Sequence, residues 1–243
     1  MPTPQKIKCF ISDIVDYGNQ VYSLSLIPER KIPKFTAGQF LHFTIDNYDP
    51  SGFWPESRVF SIASPPRERK KVKITYSVKG KYTARMEKEL RQGMSVWIKM
   101  PYGEFIIKNN EEIVLIAGGT GITAFTAFIE EMDKNHMGSV LLVYGAKTSE
   151  LLIYQHVLES CACINKNLRI LYFVENQTIR KKDYKNYDEI SGIISVDKIL
   201  PSVRNIDVSK FYLSGPPQMI ETIKAQLIEN CIPSDHIYID AWE

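Results

Sequence analysis

The chain holds 243 residues, 44% of them hydrophobic and 24% charged, and its formal net charge of +2 is too small to argue for a nucleic-acid partner. No apolar run reaches the roughly 18 residues of a membrane span. Met1-Pro2-Thr3-Pro4-Gln5-Lys6 lacks the apolar core of a signal peptide, so a cytoplasmic location is expected.

Residues 1–108 read as β-rich. Short apolar or alternating runs cover Phe10–Val15, Val21–Ile27, Phe40–Ile45, Arg58–Ala63, Val72–Val78 and Ser95–Lys99, and turn signals such as Gly18-Asn19, Asp49-Pro50-Ser51-Gly52 and Ser64-Pro65-Pro66 separate them. This spacing predicts a small antiparallel β-barrel. One helix, at about Thr83–Arg91, interrupts the strands and is stopped by Gly93.

Two runs in this half can carry chemistry. In Arg58-Val59-Phe60-Ser61-Ile62-Ala63-Ser64, the two-residue strand period puts Arg58 and Phe60 on one face. A guanidinium fork grips phosphate, and an aromatic beside it stacks on a flat ring. Ser61, on the opposite face or at a twist, can donate a hydrogen bond to a ring nitrogen. In Gly80-Lys81-Tyr82-Thr83, Thr83 is a candidate N-cap, and the helix N-terminus behind it is a second phosphate site. Each run is also compatible with an exposed strand or a plainly capped helix. Pro101-Tyr102-Gly103-Glu104-Phe105 then makes a tight turn after the last barrel strand.

From residue 109 to residue 243 the pattern alternates between strand and helix. Strand Ile113–Ala117 runs into Gly118-Gly119-Thr120-Gly121 and an amphipathic helix over Thr123–Asn135. Strand Val140–Tyr144 precedes a helix at Glu150–Ser160, and strand Leu168–Val174 follows. A helix near Val196–Leu200, strand Phe211–Leu213, a helix at Pro217–Asn230 and strand Ile237–Ile239 complete the series. Such alternation predicts a doubly wound parallel sheet, with Asn109-Asn110 as the linker and Lys181 to Asn186 as a surface loop. Strand, glycine turn, helix is the geometry that aims backbone N–H groups at a dinucleotide pyrophosphate. Ser214-Gly215-Pro216-Pro217-Gln218-Met219 likewise joins a strand end to a helix, at the edge where open α/β sheets bind ligands.

The four cysteines, Cys9, Cys161, Cys163 and Cys231, are scattered and read as reduced thiols without metal-ligand spacing or an iron–sulfur signature. No metal site is expected.

Taken in order, Arg-x-aromatic-Ser, Gly-x-x-Thr, Pro-x-Gly-x-Phe, Gly-Gly-Thr-Gly-Ile-Thr and Ser-Gly-Pro-Pro-x-Met resemble the ferredoxin–NADP reductase family from about residue 5 to the terminus. The resemblance implies a flavin-binding barrel followed by an NAD(P)-binding α/β domain, and roles residue by residue. Arg58 would hold the flavin phosphate. Phe60, where the family usually has Tyr, would pack against the isoalloxazine. Ser61 would reach flavin N5. Gly80 and Thr83 would complete the phosphate cradle. Gly118, Gly119, Thr120, Gly121 and Thr123, with Gly215 and Pro216, would bind the nicotinamide dinucleotide. Ser214 stands near the nicotinamide where relatives commonly have Cys. Asp240 and Trp242 match a terminal acid-x-aromatic pattern placed near the flavin.

The implied activity is electron transfer from NADH or NADPH through FAD, with FMN as the alternative, to a ferredoxin, flavodoxin, oxygenase component or small-molecule acceptor. A free flavin reductase and a non-catalytic electron-relay subunit are the rival readings. After strand Val140–Tyr144, an acid at the strand end would favour NADH through the ribose hydroxyls, whereas Lys147 can meet the 2′-phosphate of NADPH, and the choice between the two stays open. Glu150 lies a turn later, as a helix cap. The basic run Arg67-Glu68-Arg69-Lys70-Lys71-Val72-Lys73 can steer an acidic partner.

Overall fold

The structure, a computed structural model, describes residues 3–108, 112–132, 136, 138–176 and 187–240. It divides into two compact units, Met1–Ile106 and Ile107–Glu243.

The first unit contains β1 (Gln5–Asp16), β2 (Val21–Pro28), β3 (Phe40–Thr44), β4 (Arg58–Ser61), β5 (Val72–Ser77), α1 (Lys81–Glu89) and β6 (Ser95–Tyr102). The strands pair antiparallel in the order β4-β3-β6-β1-β2-β5. Just beyond β4, the Ala63 N–H donates to the Lys73 carbonyl at 2.9 Å, which brings the two edges together as a nearly closed barrel. Alternation supplies the interior: Ile7, Cys9 and Ile11 on β1, Leu41 and Phe43 on β3, and Val96, Ile98 and Met100 on β6 are all buried. Burial pushes the Cys9 thiol up to about 12, so it stays protonated as a small apolar filler.

β1 begins five residues earlier than its apolar run, because Lys6 and Lys8 alternate with Ile7 and Cys9 and pair with β6. Helix α1 starts at Lys81 with Gly80 as its N-cap, so the expectation for Thr83 is corrected. Thr83 is the third helical residue, and its Oγ1 accepts from the amides of Lys79 at 2.9 Å and Gly80 at 3.1 Å. It therefore fastens the incoming loop rather than capping the helix.

The second unit contains β7 (Ile113–Gly118), α2 (Thr123–Glu131), β8 (Val140–Ala146), α3 (Gln155–Ile164), β9 (Leu168–Val174), β10 (Tyr187–Ser191), α4 (Val196–Ile199), β11 (Lys210–Ser214), α5 (Pro217–Glu229) and β12 (Ile237–Ile239). All six strands are parallel, in the order β10-β9-β8-β7-β11-β12. The chain winds outward from β7 to β10 and then returns to lay β11 on the other side of β7. The gap between the carboxyl ends of β7 and β11 is thus the topological switch point, where such sheets take ligands.

Helices α4 and α5 cover one face through Val196, Ile199, Ile220, Ile223 and Leu227. The expected amphipathic character of α2 is corrected: Thr123 to Ile129 are all buried. Its hydroxyls are satisfied locally, Thr123 donating to the Thr120 carbonyl at 2.9 Å and Thr126 to that of Thr123 at 3.1 Å. The helix expected at Glu150–Ser160 also differs. A 3-10 turn holds Ser149–Leu151, Tyr154 takes a left-handed φ of 64°, and α3 starts only at Gln155. Glu150 therefore belongs to the turn and does not cap the helix. Strand β10 was not anticipated. Asn109-Asn110, Lys181 to Asn186 and Trp242 lie outside the described residues.

Candidate cofactor sites

In the barrel, register assigns the faces of β4. Arg58 pairs with Phe43 and Phe60 with Leu41, whereas Ser61 pairs with Phe40. Arg58 and Phe60 therefore share one face, and Ser61 ends the strand on the other. Phe60 is half-buried, its ring 6.0 Å from that of Phe43 and 6.2 Å from that of Tyr76, so its core-side edge is fixed. The Arg58 guanidinium lies 4.5 Å over the ring of Tyr82, the second residue of α1. Its Nη2 is 2.8 Å from Glu56 Oε1, and its Nη1 donates to the Ser57 carbonyl at 2.9 Å.

Tyr82 joins the parts. Its hydroxyl accepts from the Ile45 amide at 3.1 Å and lies 3.2 Å from the Glu56 carbonyl, which ties α1 to the end of β3 and to the loop entering β4. Burial pushes the Tyr82 phenol above its ordinary value, so it is neutral and able to donate. Tyr82 and Glu56 were missed from sequence. The available signals were an aromatic inside Gly-x-x-Thr and an acid two residues before Arg58, at same-face strand spacing.

The amide of Ala84 is the first in α1 to reach a helical acceptor, the Gly80 carbonyl at 2.9 Å, so the amides of Lys81, Tyr82 and Thr83 precede the ladder. A Cβ on Gly80 would meet nothing within 4 Å. The space before this helix is open, and Arg58 reaches Tyr82 on its first turn. Together these make a candidate anion cradle.

The second cradle lies at the switch point of the parallel sheet. Gly118 ends β7, Gly119 to Ile122 form a 3-10 turn, and α2 begins at Thr123 without a side-chain cap. The glycines divide into two kinds. A Cβ on Gly121 would sit 2.3 Å from the Ser214 carbonyl oxygen, one on Gly118 2.5 Å from Met219 Sδ, and one on Gly215 2.9 Å from the Gly118 nitrogen. These glycines let the turn after β7 and the turn after β11 touch. Gly119 differs, with a left-handed φ of 53° and nothing within 4 Å of a would-be Cβ. It borders open space, and Gly119 and Thr120 are the half-buried part of the turn, whereas Gly118 and Gly121 are buried. The Thr123 hydroxyl proton is committed to the Thr120 carbonyl. Pro216 is the N-cap of α5, and Pro217 its first residue.

Ser214 and Asp240 meet. The buried Ser214 hydroxyl donates to the buried Asp240 Oδ2 at 3.0 Å, and the Asp240 amide donates to the Leu213 carbonyl at 2.9 Å. The pair pins the chain after β12 to the ligand edge of β11. Ser214→Ala removes a donor from a buried carboxylate and is expected to cost about 1–3 kcal/mol, read as a lowered urea midpoint. An unchanged midpoint would show the bond to be dispensable. At the end of β8, Lys147 is exposed and its carbonyl accepts from the Asn176 amide at 3.1 Å. Among the described residues no helix is long and apolar enough to cross a membrane, and no cluster of His, Cys, Asp and Glu could hold a metal ion.

Residues 115–225 match the oxidoreductase NAD-binding domain family. The chain is 23% identical over 235 residues to the reductase component DmpP of phenol 2-monooxygenase from Pseudomonas sp. (strain CF600), covering 95% of this chain and 64% of that one. It is 29% identical over 232 residues to the electron transfer component of anthranilate 1,2-dioxygenase from Acinetobacter baylyi, covering 93% and 63%. It thus spans just under two thirds of the length of those two relatives. A probable flavin reductase of Aliivibrio fischeri is 25% identical over 236 residues and covered to 92%, as is this chain. In fold, the chain resembles the cytochrome P450 reductase GcoB of Amycolatopsis (TM-score 0.80, 19% identity, 98% of this chain and 70% of that one). It also resembles a ferredoxin NADP+ reductase from Neisseria gonorrhoeae with bound FAD and NADP (TM-score 0.73, 15% identity, 99% of both). In sequence the chain is thus similar to reductase and electron-transfer components of oxygenases, and its fold is that of the ferredoxin–NADP reductase-like oxidoreductases.

Proposed function

We propose that the chain is a flavoprotein reductase that takes reducing equivalents from NADH or NADPH and passes them through FAD to a separate acceptor. The observation that carries this reading is the presence of two unlike anion cradles on one chain. One is the Arg58–Tyr82 platform before α1, and the other is the glycine turn at the switch point between β7 and β11. The first suits a flavin phosphate, because a guanidinium and a row of first-turn amides converge on open space. The second suits a dinucleotide pyrophosphate, because Gly119 borders open space beside backbone amides.

When bound, FAD supplies a two-electron acceptor that can release electrons singly. The chain's own residues position it. Phe60 offers an apolar edge for the ring system without a hydroxyl to bond, and Ser61 a donor at the end of β4; in the other unit the Ser214–Asp240 pair holds the ligand edge of β11 for the nicotinamide coenzyme. The acceptor fits an acidic carrier protein such as a ferredoxin, a flavodoxin or an oxygenase component. An Arg69 guanidinium nitrogen donates to the Ile32 carbonyl and so brings the basic run 67–73 beside the loop that carries Arg30, Lys31 and Lys34. A cytoplasmic location is part of the same reading.

The test is anaerobic addition of NADH or NADPH to the flavin-loaded chain while following the flavin absorbance near 450 nm. Bleaching within seconds is expected, and the coenzyme that acts at lower concentration is the physiological one. A flavin-bound chain that neither coenzyme bleaches would end the reading.

A second reading has specific support. The Aliivibrio fischeri flavin reductase matches over 92% of both chains, and Phe60 lacks a hydroxyl. A flavin used as substrate rather than kept would then leave the chain on gel filtration.

A further inference from the structure

We propose that Glu56 is a built-in competitor for the flavin phosphate, a carboxylate that engages the Arg58 guanidinium and sets how tightly phosphorylated flavins are held. This rests on the phosphate role of Arg58 put forward above and deepens it.

The guanidinium is already well used by the chain. Nη2 meets Glu56 Oε1 at 2.8 Å, Nη1 donates to the Ser57 carbonyl at 2.9 Å, and Cζ lies 4.5 Å from the centroid of the Tyr82 ring. The fork edge is the part of Arg that recognises phosphate oxygens in pairs. A phosphate bound there must displace the Glu56 carboxylate or share the fork with it, and in either case a like charge remains a few ångströms away.

Glu56 is also held in place. The hydroxyl of Tyr82, whose ring carries Arg58, lies 3.2 Å from the Glu56 carbonyl. Next to it, the Ser57 hydroxyl accepts from Trp54 Nε1 at 3.1 Å and lies 3.4 Å from His42 Nδ1. The backbone on either side of the carboxylate is therefore anchored, and only its side chain must rotate to let a phosphate in. The pair is exposed, with side chains 43% and 60% accessible, so the competition is moderate and weakened by salt.

The test measures dissociation constants of FAD, FMN and riboflavin on the full chain by quenching of flavin fluorescence, for the wild type, Glu56→Gln and Arg58→Gln. Glu56→Gln is expected to tighten FAD and FMN about fivefold at low salt, to lose most of that gain at about 1 M salt, and to leave riboflavin unchanged. Unchanged or weaker binding of FAD and FMN would overturn the proposal, as would an equal gain for riboflavin, which has no phosphate. Arg58→Gln separates the two claims. If it abolishes the preference for phosphorylated flavins while Glu56→Gln does nothing, only the Glu56 proposal falls. If Arg58→Gln leaves that preference intact, the phosphate role of Arg58 falls and the competitor with it.

Discussion

Gly121→Ala is expected to lower the melting transition of the Ile107–Glu243 unit by about 10 °C, whereas Gly119→Ala, in the same turn, lowers it by no more than about 3 °C. A methyl at 121 would stand 2.3 Å from the Ser214 oxygen, 2.5 Å from its carbonyl carbon and 2.6 Å from the Gly215 nitrogen. All three atoms are backbone, so no rotamer relieves the clash. The carboxyl ends of β7 and β11, paired at Ala117 and Ser214, must move apart. Overpacking of this kind costs about 3 kcal/mol. At 119 a methyl meets nothing within 4 Å, and only the left-handed φ of 53° carries a cost, about 1 kcal/mol. Function inverts the order. Gly119→Val fills the open side of the turn and is expected to raise the KM for the nicotinamide coenzyme at least tenfold with flavin content unchanged. Calorimetry of the three variants, with coenzyme titrations, checks both halves. Equal thermal losses at 119 and 121 would refute the division of the glycines.

Arg58→Ala is expected to weaken FAD binding about 10- to 100-fold, the range of a charge-assisted pair of hydrogen bonds, so that the purified chain loses its yellow colour on gel filtration. Folding should be preserved, because the side chain is 43% accessible and lies over Tyr82 rather than inside the barrel. Arg58→Lys is the sharper variant. It keeps the charge but not the planar fork, so it is expected to recover only part of the affinity. Flavin content equal to that of the wild type in Arg58→Ala would place the phosphate elsewhere.

Much of the architecture was legible because burial imposes periodicity. Strands β9 and β12 begin and end where their apolar runs do, since β9 is buried throughout except at Arg169 and β12 follows directly on a 3-10 turn over Ser234–His236. The legibility fails where backbone pairing, not side-chain burial, makes the strand. β10 carries one aliphatic residue, Ile190, and exists because its amides and carbonyls match those of β9 at the sheet edge. The first half of β1 was hidden by its lysines, which alternate with buried Ile7 and Cys9. Nothing in Leu151-Leu152-Ile153-Tyr154 announces the left-handed Tyr154 that delays α3.

The site was legible as motifs and not as contacts. Arg58, Phe60 and the glycine turn could be read from local order. That Tyr82 carries Arg58 and that Ser214 bonds Asp240 depend on residues far apart in the chain, and that the nearby Glu56 engages the Arg58 fork depends on how the two side chains turn. The three glycines at 118, 119 and 121 look alike in a turn motif, and only the approach of residues 214 to 219 tells them apart.

That approach has a consequence for anyone recombining this chain with its relatives. With Gly121 against the Ser214 carbonyl and Gly215 against the Gly118 amide, the two loops at the ligand edge are one jigsaw joint cut from distant parts of the polypeptide. A chimera that imports either loop alone inherits half of the joint, so graft boundaries belong outside both, with the two segments exchanged together.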